Sequence, residues 1–400
     1  MKAVILAAGE GQRMRPLTYT RPKVMIHLAG KPILEHLLLE IRKAGLEDFI
    51  FVVGYKDEAV RNHFQEGRKW GVKIEYAYQG KQLGTAHALK MVEEFVESEF
   101  LLANGDIFVN SEDIAKLLKK GPLALGVARA ENSERYGLIE IEDERVIRIR
   151  EKVKEPSSNL VNAGIYLLDR RVFEALAQTE KSPRGEFELT DSLQILIDKG
   201  QVIFPQELEY WLDAAYPWEL LEANKFFLSR LIPQNLGVVE ENAVIKGAVS
   251  IGKGTVIKSG SYILGPVIIG EDCEIGPNCF IRPATSIGDR CHIGAAVEVK
   301  NSIIMNETKI PHHNYVGDSI IGEGVNLGAG TKIANLRLDK NEVSIAGIPT
   351  GLRKLGAIIG DKVEVGINAS INVGSLIGDH TFIGPGAVVG GIIQPGSKIF

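Results

Sequence analysis

The spacing of hydrophobic and polar positions changes along the chain. In its first part, short apolar, β-branched runs alternate with stretches whose apolar residues recur every three or four positions. The runs predict strands and the stretches predict amphipathic helices, because these spacings bury one side of each element. Their alternation is typical of β-α-β units around a mostly parallel sheet. The predicted strands are Lys2–Leu6, Phe49–Val53, Lys73–Tyr78 and Phe100–Ala103, and the predicted helices are Ile33–Ala44, Lys56–Phe64 and Thr85–Val96.

The pattern is less regular in the next part of the chain. Strands follow one another closely from Leu123 to Leu168, which predicts a mixed or partly antiparallel region. A last helix begins near Trp218 and ends near Leu231, because Pro233 cannot continue it. We therefore expect an α/β domain over residues 1–215, a connecting helix and linker over 216–236, and a different domain over 237–400.

A fixed period of six begins after residue 237. An aliphatic residue occupies every sixth position, and the position four residues later is small or apolar. Such a hexad predicts a parallel β-helix with three hexads in each triangular coil. The period breaks twice, after Val299 and after Ile333, and resumes in a new phase each time. Ten consecutive positions follow the pattern before the first break: Ile245, Ile251, Ile257, Ile263, Ile269, Ile275, Ile281, Ile287, Ile293 and Val299.

The three cysteines fall within this repeat. Cys273, Cys279 and Cys291 all occupy its small inward position, alongside Thr, Ser and Val in other hexads. They are therefore predicted to be core residues, although Cys273 and Cys291 could stack in adjacent coils. A small, odd number of cysteines also argues against a disulfide framework and indicates a reducing cytoplasm.

Composition marks the same boundary and excludes several classes of function. Of the 43 glycines, 27 lie in residues 237–400, where many of them follow the aliphatic position. The net charge of −5 gives no general attraction to nucleic acid or to an anionic membrane. No apolar run approaches the roughly 18 residues that a membrane span needs. We expect a cytoplasmic protein with neither a nucleic-acid nor a membrane partner.

The loop after the first predicted strand carries the first candidate chemistry. Gly9 and Gly11 allow backbone N–H groups to approach a phosphate. Arg13, Arg15 and Lys23 would add charge-assisted contacts to a polyphosphate. The loop matches neither G-x-G-x-x-G nor G-x-x-x-x-G-K-[ST], the two standard nucleotide fingerprints. Three cations so close together nevertheless favour phosphate binding over a merely solvated loop.

Two aspartates at the ends of predicted strands suggest a metal site. Asp106 follows the strand at Phe100, and Asp213 follows Glu209–Leu212. Magnesium in proteins is often held by one or two carboxylates and completed by water and substrate phosphates. Either aspartate alone would more often be a turn or cap residue, but together with the loop they indicate a shared Mg²⁺.

These residues resemble the sugar-1-phosphate nucleotidylyltransferases. The specific motif L-A-A-G-x-G-x-R-M…R-P-K is matched from Leu6 to Lys23, and shorter matches extend over residues 1–230. The resemblance implies Mg²⁺-dependent transfer of UMP or dTMP from UTP or dTTP to N-acetylglucosamine-1-phosphate or glucose-1-phosphate, with release of pyrophosphate. It assigns catalysis to Arg13 and Lys23, nucleotide binding to Leu6, Ala8, Gly9, Gly11, Gln79, Gly84 and Thr85, sugar-phosphate binding to Gly137, Glu151, Lys152 and Asn162, and the metal to Asp106 and Asp213.

The first break in the hexads holds the second candidate site. His312 and His313 lie there, and a histidine titrating near neutral pH suits a general base. Either one alone would more often be a surface residue. Neighbouring residues of an extended segment face opposite sides, so only one of the two can face a given site.

This stretch resembles the acetyltransferase half of bacterial bifunctional glucosamine-1-phosphate acetyltransferase/N-acetylglucosamine-1-phosphate uridylyltransferases. The matching motif is K-x-x-H-x-x-Y-x-G-D from Lys309 to Asp318. The resemblance implies that His312 deprotonates the amine of glucosamine-1-phosphate for attack on acetyl-CoA. It also implies a left-handed β-helix and a homotrimer with the acetyl site between subunits. It assigns substrate and CoA contacts to Arg282, Lys300, Tyr315, Asn326, Ala329 and Asn335.

Three functions are compatible with these motifs. The leading hypothesis is a bifunctional enzyme that acetylates a hexosamine-1-phosphate and then makes a nucleotide sugar. In the second, the β-helix is only structural or regulatory, as in GDP-mannose and ADP-glucose pyrophosphorylase relatives; His312, Tyr315, Asn326 and Asn335 argue against it. In the third, the chain is a scaffold resembling the γ and ε subunits of translation initiation factor 2B; the hypothesis is opposed by four intact site residues, Arg13, Lys23, Asp106 and Asp213.

Three departures from the bacterial pattern affect the expected substrates. The motif around Asp213 resembles glucose-1-phosphate thymidylyltransferases more than the uridylyltransferase, so the base and the sugar stay open between the two. The extended tail that helps the bacterial enzymes bind CoA has no counterpart before Phe400. The segment 336–354 has no clean match, and its role stays open.

Overall fold

The computed structural model describes residues 1–151 and 158–400 of the chain. These residues form two compact units. The first contains Met1–Glu10, Pro22–Met25 and Ile33–Asp213, and the second contains Gly11–Arg21, Ile26–Pro32 and Ala214–Phe400. The loop Gly11–Arg21, which carries part of the motif predicted to bind phosphate, therefore belongs to the unit that holds the hexad repeats.

The first unit is built on a nine-stranded mixed sheet. The strands up to Asp213, of which β2 and β3 belong to the second unit, are β1 Lys2–Ala7, β2 His27–Leu28, β3 Lys31–Pro32, β4 Asp48–Val53, β5 Lys73–Tyr78, β6 Phe100–Asn104, β7 Ile107–Val109, β8 Ala124–Arg129, β9 Gly137–Glu142, β10 Arg145–Glu151, β11 Leu160–Leu168, β12 Phe204–Glu207 and β13 Trp211–Asp213. The helices are α1 Ile33–Lys43, α2 Asp57–Phe64, α3 Thr85–Lys90, α4 Ser111–Leu117, α5 Arg171–Leu176, α6 Leu189–Asp198 and α7 Leu220–Ser229.

The order of strands in that sheet is β10-β9-β11-β6-β1-β4-β5, with β8 paired to β11 and β12 paired to β8. β1 pairs in parallel with both β4 and β6, and β4 pairs in parallel with β5. β11 is antiparallel to β6 and to β8. The predicted parallel β-α-β part and the predicted mixed part are both confirmed.

Successive side chains of each strand point to opposite faces of the sheet, and this produces two apolar cores, one on each face. In β1, Ala3 and Ile5 point into one core and Val4 into the other. Leu34, Leu37, Leu38 and Ile41 of α1 are buried in the first core, at the spacing of one helix face. Helices α3, α5 and α6 supply buried residues to the second core, which therefore covers the opposite face of the sheet.

One predicted helix ends earlier than expected. The apolar spacing predicted a helix to Val96, but α3 ends at Lys90 and a short 3-10 turn follows over Glu93–Phe95. Val92 has φ −111° and leaves the helical conformation. Both Val92 and Val96 are nonetheless buried. Their apolar character, which suggested a longer helix, is used by a turn that packs into the same core.

The second unit contains a parallel β-helix of three sheets with nine, nine and eight strands. Each strand pairs with the strand three places later, or five places later where the hairpin described below is inserted, so three strands complete one coil. The first sheet contains β14 Gln234–Asn235, β17 Val249–Ile251, β20 Val267–Ile269, β23 Thr285–Ile287, β26 Ile303–Ile304, β29 Ile320–Ile321, β34 Ala357–Ile359, β37 Ser375–Ile377 and β40 Ile392–Ile393.

The other two sheets complete the triangle. The second contains β15 Val238–Val239, β18 Val256–Ile257, β21 Glu274–Ile275, β24 His292–Ala295, β27 Lys309–His312, β30 Asn326–Leu327, β35 Glu364–Val365, β38 Phe382–Ile383 and β41 Lys398–Ile399. The third contains β16 Val244–Lys246, β19 Tyr262–Leu264, β22 Phe280–Ile281, β25 Glu298–Lys300, β28 Tyr315–Gly317, β31 Lys332–Ile333, β36 Ser370–Ile371 and β39 Val388–Val389. A hairpin, β32 Ser344–Ile345 and β33 Ile348–Pro349, lies in the segment between β31 and β34.

The register explains the two breaks in the repeat. Ile251 pairs with Ile269 and Ile269 with Ile287, a coil of 18 residues. Ile287 then pairs with Ile304, and Ile304 with Ile321, so these coils have 17 residues. The first break is therefore the loss of one position in each of two coils, and the core continues through it. The second break is an insertion, because Ile321 pairs with Ile359.

The inward positions of the repeat form one continuous apolar core. Cys273, Cys279 and Cys291 lie in this core as buried, free thiols, which confirms their predicted position. The predicted helix near residues 218–231 is α7, which belongs to the second unit. Its fully buried Asn224 accepts from the Ala29 N–H at 3.0 Å and donates to the Ala284 carbonyl at 3.0 Å. None of the described helices is both long and apolar enough to cross a membrane.

Candidate active sites

A buried lysine lies between the two predicted metal-binding carboxylates. The Lys23 ammonium donates to Asp106 Oδ2 at 2.6 Å and to Asp213 Oδ1 at 3.4 Å. Strands β7 and β13 bring these carboxylates together, because their antiparallel register places Asp213 opposite Ile107, the residue after Asp106. Two strands about a hundred residues apart therefore converge on one cation.

Electrostatics keeps this lysine charged. Burial by itself would lower the pKa of Lys23, but the charges of Asp106 and Asp213 outweigh burial and hold the pKa above its ordinary value. The side chains of Asp106 and Asp213 remain 33% and 21% exposed. The arrangement therefore presents a permanent positive charge and two accessible carboxylates at the same place.

The predicted base-binding residues surround the start of α3. Gln79 is buried, and its Nε2 donates to the Gly84 carbonyl at 3.2 Å and lies 2.9 Å from His87 Nδ1. Burial and the nearby charge of Lys90 lower the pKa of His87, so its neutral ring can accept that hydrogen bond. The Thr85 hydroxyl accepts from the Leu189 N–H at 3.0 Å. The structure thus places Gln79, Gly84 and Thr85 at one location. His87 lies there too, although the motif did not indicate it.

The predicted nucleotide contacts on β1 lie at its carboxyl end. The Leu6 carbonyl accepts from the Gly105 N–H at 2.8 Å. The Ala8 carbonyl accepts from the Tyr55 N–H at 3.0 Å and from Gln82 Nε2 at 2.8 Å. A Cβ on Gly9 would meet no atom within 4 Å, so the backbone there faces open space. This is the edge of a parallel sheet where ligands are expected to bind.

The rest of the loop that is predicted to bind phosphate lies in the second unit. Gly11 has φ +75°, a left-handed conformation that glycine adopts readily. Its carbonyl accepts from the Thr18 hydroxyl at 3.0 Å and from the Met14 N–H at 2.9 Å. The Arg13 guanidinium is exposed and lies 5.8 Å from the centre of the Tyr216 ring. The loop thus has internal hydrogen bonds and presents an arginine at its surface.

Gly84 admits no side chain, which gives a stability prediction. Its φ is +109°, and a Cβ there would lie 2.4 Å from the Phe187 carbonyl oxygen. We expect Gly84→Ala to destabilise its unit by about 1–3 kcal/mol, through backbone strain and the clash. The midpoint of urea unfolding, followed by tryptophan fluorescence, measures this. Gly9→Ala is the control and should leave the midpoint unchanged; an equal shift in both variants would contradict the prediction.

The predicted sugar-phosphate residues form a second group in the first unit. Gly137 pairs with Glu151 across β9 and β10, and a Cβ on Gly137 would lie 3.6 Å from the Asn162 Cβ. The Thr190 hydroxyl donates to Glu151 Oε2 at 3.1 Å, and Arg184 approaches Glu151 Oε1 at 3.3 Å. Thr190 and Arg184 come from a distant segment, which is why the motif did not indicate them. Lys152 lies outside the described residues.

A polar cluster on the third sheet of the β-helix gathers most of the predicted acetyltransferase contacts. Lys300 Nζ lies 3.0 Å from Asp318 Oδ2. Asn335 Nδ2 donates to Asp318 Oδ2 at 2.6 Å and to the Tyr315 hydroxyl at 3.1 Å. Arg282 pairs with Glu298 at 2.8 Å, and Glu298 stands beside Tyr315 in the register. Burial and the charge of Asp318 raise the pKa of Tyr315, so its hydroxyl stays protonated.

Asp318 holds this cluster together. It is buried, with 4% of its surface exposed, and its Oδ1 accepts from Asn301 Nδ2 at 2.6 Å. We expect Asp318→Asn to release the ammonium of Lys300 and to lower kcat/KM for acetyl transfer by about 10- to 100-fold, because a small displacement of a positioned group costs that much. Thiol release from acetyl-CoA measures this. Asp339→Asn, at an exposed carboxylate, is the control and should match the wild type. Equal rates in both variants would refute the role.

His312 and Asn326 lie on the second sheet. His312 ends β27, opposite Ala295, and its ring is exposed. Within the described parts of the chain it makes no hydrogen bond or ion pair with the cluster around Asp318. Asn326 donates to Glu364 Oε2 at 3.1 Å, and the Ala329 carbonyl accepts from the Asn368 N–H at 2.8 Å. The structure thus gathers four of the predicted contacts on one face and leaves these three on another.

Comparison with known proteins gives two family models that match this chain. The family model for nucleotidyl transferase matches residues 2–230, and a model described as the GMPPB C-terminal domain matches residues 263–393. A protein of Methanococcus maripaludis (strain C7) named bifunctional protein GlmU is 47% identical, and the match covers 100% of this chain and 97% of that protein. A Sulfurisphaera tokodaii protein named bifunctional sugar-1-phosphate nucleotidylyltransferase/acetyltransferase is 41% identical, over 97% of both chains.

A solved structure resembles part of the chain. It is a glucose-1-phosphate thymidylyltransferase from Bacillus anthracis, and it is 29% identical with a TM-score of 0.53. The match covers 59% of this chain and 97% of that one. That structure therefore resembles only part of this chain, whereas the two relatives above match over at least 97% of it.

Proposed function

We propose the substrates of this enzyme from the premise that the chain belongs to the nucleotidyl transferase family and to its bifunctional nucleotidylyltransferase/acetyltransferase members. It is an enzyme with both activities. A β-helix with only a structural role and a non-enzymatic scaffold are the weaker hypotheses, because relatives named for both activities match over their full length. The two catalytic regions proposed are residues 1–215 and 237–400.

The first proposed reaction is acetyl transfer to the amine of glucosamine-1-phosphate. The ring of His312 removes a proton from the amine, whose nitrogen then attacks the thioester carbon of acetyl-CoA. The C–S bond breaks, the CoA thiol leaves, and an N-acetyl group remains on the sugar. Lys300 and Arg282 supply positive charge for the sugar phosphate, and Tyr315 donates from a protonated hydroxyl.

The second proposed reaction is nucleotidyl transfer to the sugar phosphate. A phosphate oxygen of the sugar attacks the α-phosphorus of UTP or dTTP, and the bond to pyrophosphate breaks. No protein nucleophile is needed, since positioning and charge neutralisation accelerate the step. Lys23 faces the reacting phosphate with a permanent charge, and Arg13 contacts the triphosphate. Gln79 and Gly84 read the base, and Gly137, Glu151 and Asn162 hold the sugar.

Asp106 and Asp213 are suited to hold Mg²⁺ for this reaction. Both carboxylates already converge on one cation, Lys23 Nζ, and both are partly exposed. The described residues contain no cluster of three His, Cys, Asp or Glu side chains that could hold a metal. Two carboxylates completed by substrate phosphates and water are a common magnesium site. When bound, the ion would neutralise the charge of the phosphates.

We also propose that the protein is a homotrimer in the cytoplasm. His312 and Asn326 lie on a different sheet from Lys300 and Tyr315, so a trimer that joins these faces from two copies would complete the acetyl site. Three free, buried thiols fit a reducing cytoplasm. Sedimentation equilibrium should give three times the monomer mass of 43.7 kDa.

The main support for nucleotidyl transfer is the convergence of three side chains, those of Lys23, Asp106 and Asp213. The test combines UTP or dTTP with glucose-1-phosphate or N-acetylglucosamine-1-phosphate and measures pyrophosphate release with Mg²⁺ and with EDTA. We expect release with at least one pair and its loss in EDTA. Thiol release from acetyl-CoA with glucosamine-1-phosphate tests the other half. No pyrophosphate from any pair would refute the proposed substrates.

A further inference from the structure

We propose that Asp361, on the β-helix, is a positioning residue for nucleotidyl transfer that acts through Arg21 on the phosphate-binding loop Gly11–Arg21. The inference rests on the proposed function of that loop. It concerns residues of the second unit only, since that unit contains both the loop and the β-helix. The β-helix then has a role in nucleotidyl transfer, and the nucleotidyl transferase motif does not indicate that role.

The end of the loop is tied to two carboxylates of the β-helix. Arg21 Nη2 donates to Asp361 Oδ2 and lies 3.0 Å from Glu323 Oε2. The Thr20 hydroxyl also donates to Asp361 Oδ2. The side chains of Arg21 and Asp361 are only 12% and 6% exposed, so this is a nearly dry ion pair. Removing one partner of such a pair leaves an uncompensated charge, which is far more costly than losing a surface pair.

The β-helix does not need a charge at position 361 for its own coil. Asp361 Oδ1 accepts from the Glu323 N–H at 2.8 Å. Asp289 and Asn306 have the same role in earlier coils. Asp289 Oδ1 accepts from the Glu271 N–H at 2.8 Å, and Asn306 Oδ1 accepts from the Asp289 N–H at 2.9 Å. Since a neutral asparagine suffices at 306, the second, charged oxygen of Asp361 is available for the loop.

Contacts within the loop can pass this restraint to Gly11. The Thr18 hydroxyl donates to the Gly11 carbonyl at 3.0 Å. The Tyr19 N–H donates to the Pro16 carbonyl at 3.3 Å. Gly11 is therefore linked to the residues that directly precede Thr20. A chain of packed and hydrogen-bonded groups is the physical route by which a distant residue affects a site.

The test is Asp361→Asn in the full-length protein. The amide keeps the hydrogen bond to Glu323 and loses the charge that holds Arg21. We expect KM for UTP or dTTP, whichever the wild type uses, to rise and kcat/KM to fall by about 10- to 100-fold, because the loop is displaced. Thiol release from acetyl-CoA should stay at the wild-type rate at temperatures where the variant is folded, whereas the melting temperature should fall because the buried guanidinium of Arg21 loses a charged partner. Asp289→Asn is the matched control, at a carboxylate with the same role in the coil, and should change neither activity.

Variants of Arg21 keep the proposal open to refutation even where Asp361→Asn fails to fold. Arg21→Gln should reproduce the loss, Arg21→Lys should recover part of it, and Asp361→Asn combined with Arg21→Gln should lose no more than either alone. Nucleotidyl transfer within twofold of wild type in Arg21→Gln overturns the inference, as does an equal loss of both activities. Failure of the proposed function is a different result: the wild type itself then releases no pyrophosphate.

Discussion

Replacing Lys23 by alanine is expected to lower kcat for nucleotidyl transfer by about 100- to 1,000-fold, because a charge-neutralising group aimed at the reacting phosphate is lost. Asp106→Ala should cause a similar loss, because it removes one of the two carboxylates proposed to hold Mg²⁺. Pyrophosphate release measures both variants. Acetyl transfer by the same preparations should stay at the wild-type rate, which would show that each protein is folded.

The control for these variants is Lys43→Ala. Lys43 lies on α1, its side chain is 63% exposed, and it pairs with Glu40 on the same helix. An exposed pair of this kind contributes little, so the control should retain both activities. Near-normal turnover in Lys23→Ala or in Asp106→Ala would show that the reacting phosphate lies elsewhere.

Replacing His312 by alanine is expected to lower acetyl transfer by about 100- to 10,000-fold, which is the range for loss of a general base. Thiol release from acetyl-CoA with glucosamine-1-phosphate measures the effect. Nucleotidyl transfer to N-acetylglucosamine-1-phosphate or glucose-1-phosphate should be unaffected, because that reaction does not use the β-helix histidine.

The neighbouring His313 provides a matched control. It has φ +52° at a corner of the coil, where Ala284 and Ala296 have φ +63° and +56° in equivalent corners. His313→Ala is therefore compatible with the backbone and should keep acetyl transfer. Loss in His313→Ala with activity retained in His312→Ala would reverse the assignment of the base.

Much of the fold could be predicted from spacing alone. A period of six identifies a β-helix because each coil repeats the same inward positions, and the structure confirms that core. The shortening of two coils by one residue could not be distinguished from an interruption, since either changes the phase of the repeat. Only the register, in which Ile287 pairs with Ile304, shows that the coil continues.

Residues of the candidate sites could be predicted where they belong to one short motif. They could not be predicted where they meet through contacts between parts of the chain that are far apart in sequence. The motif that ends at Lys23 indicated a phosphate site, but the position of Asp213 beside Asp106 depends on a strand pairing. Arg21 and Asp361 are 340 residues apart, and their meeting depends on the insertion between Ile321 and Ile359. Local sequence carries no signal for such a pair.

If one chain carries two separable reactions, a paired assay should resolve them. Pyrophosphate release and CoA thiol release are measured on the same samples of wild type, Lys23→Ala and His312→Ala. We expect both signals in the wild type, only thiol release in Lys23→Ala, and only pyrophosphate release, from a preformed N-acetylated substrate, in His312→Ala. Loss of both signals in either variant, or a wild type without thiol release, would contradict this expectation.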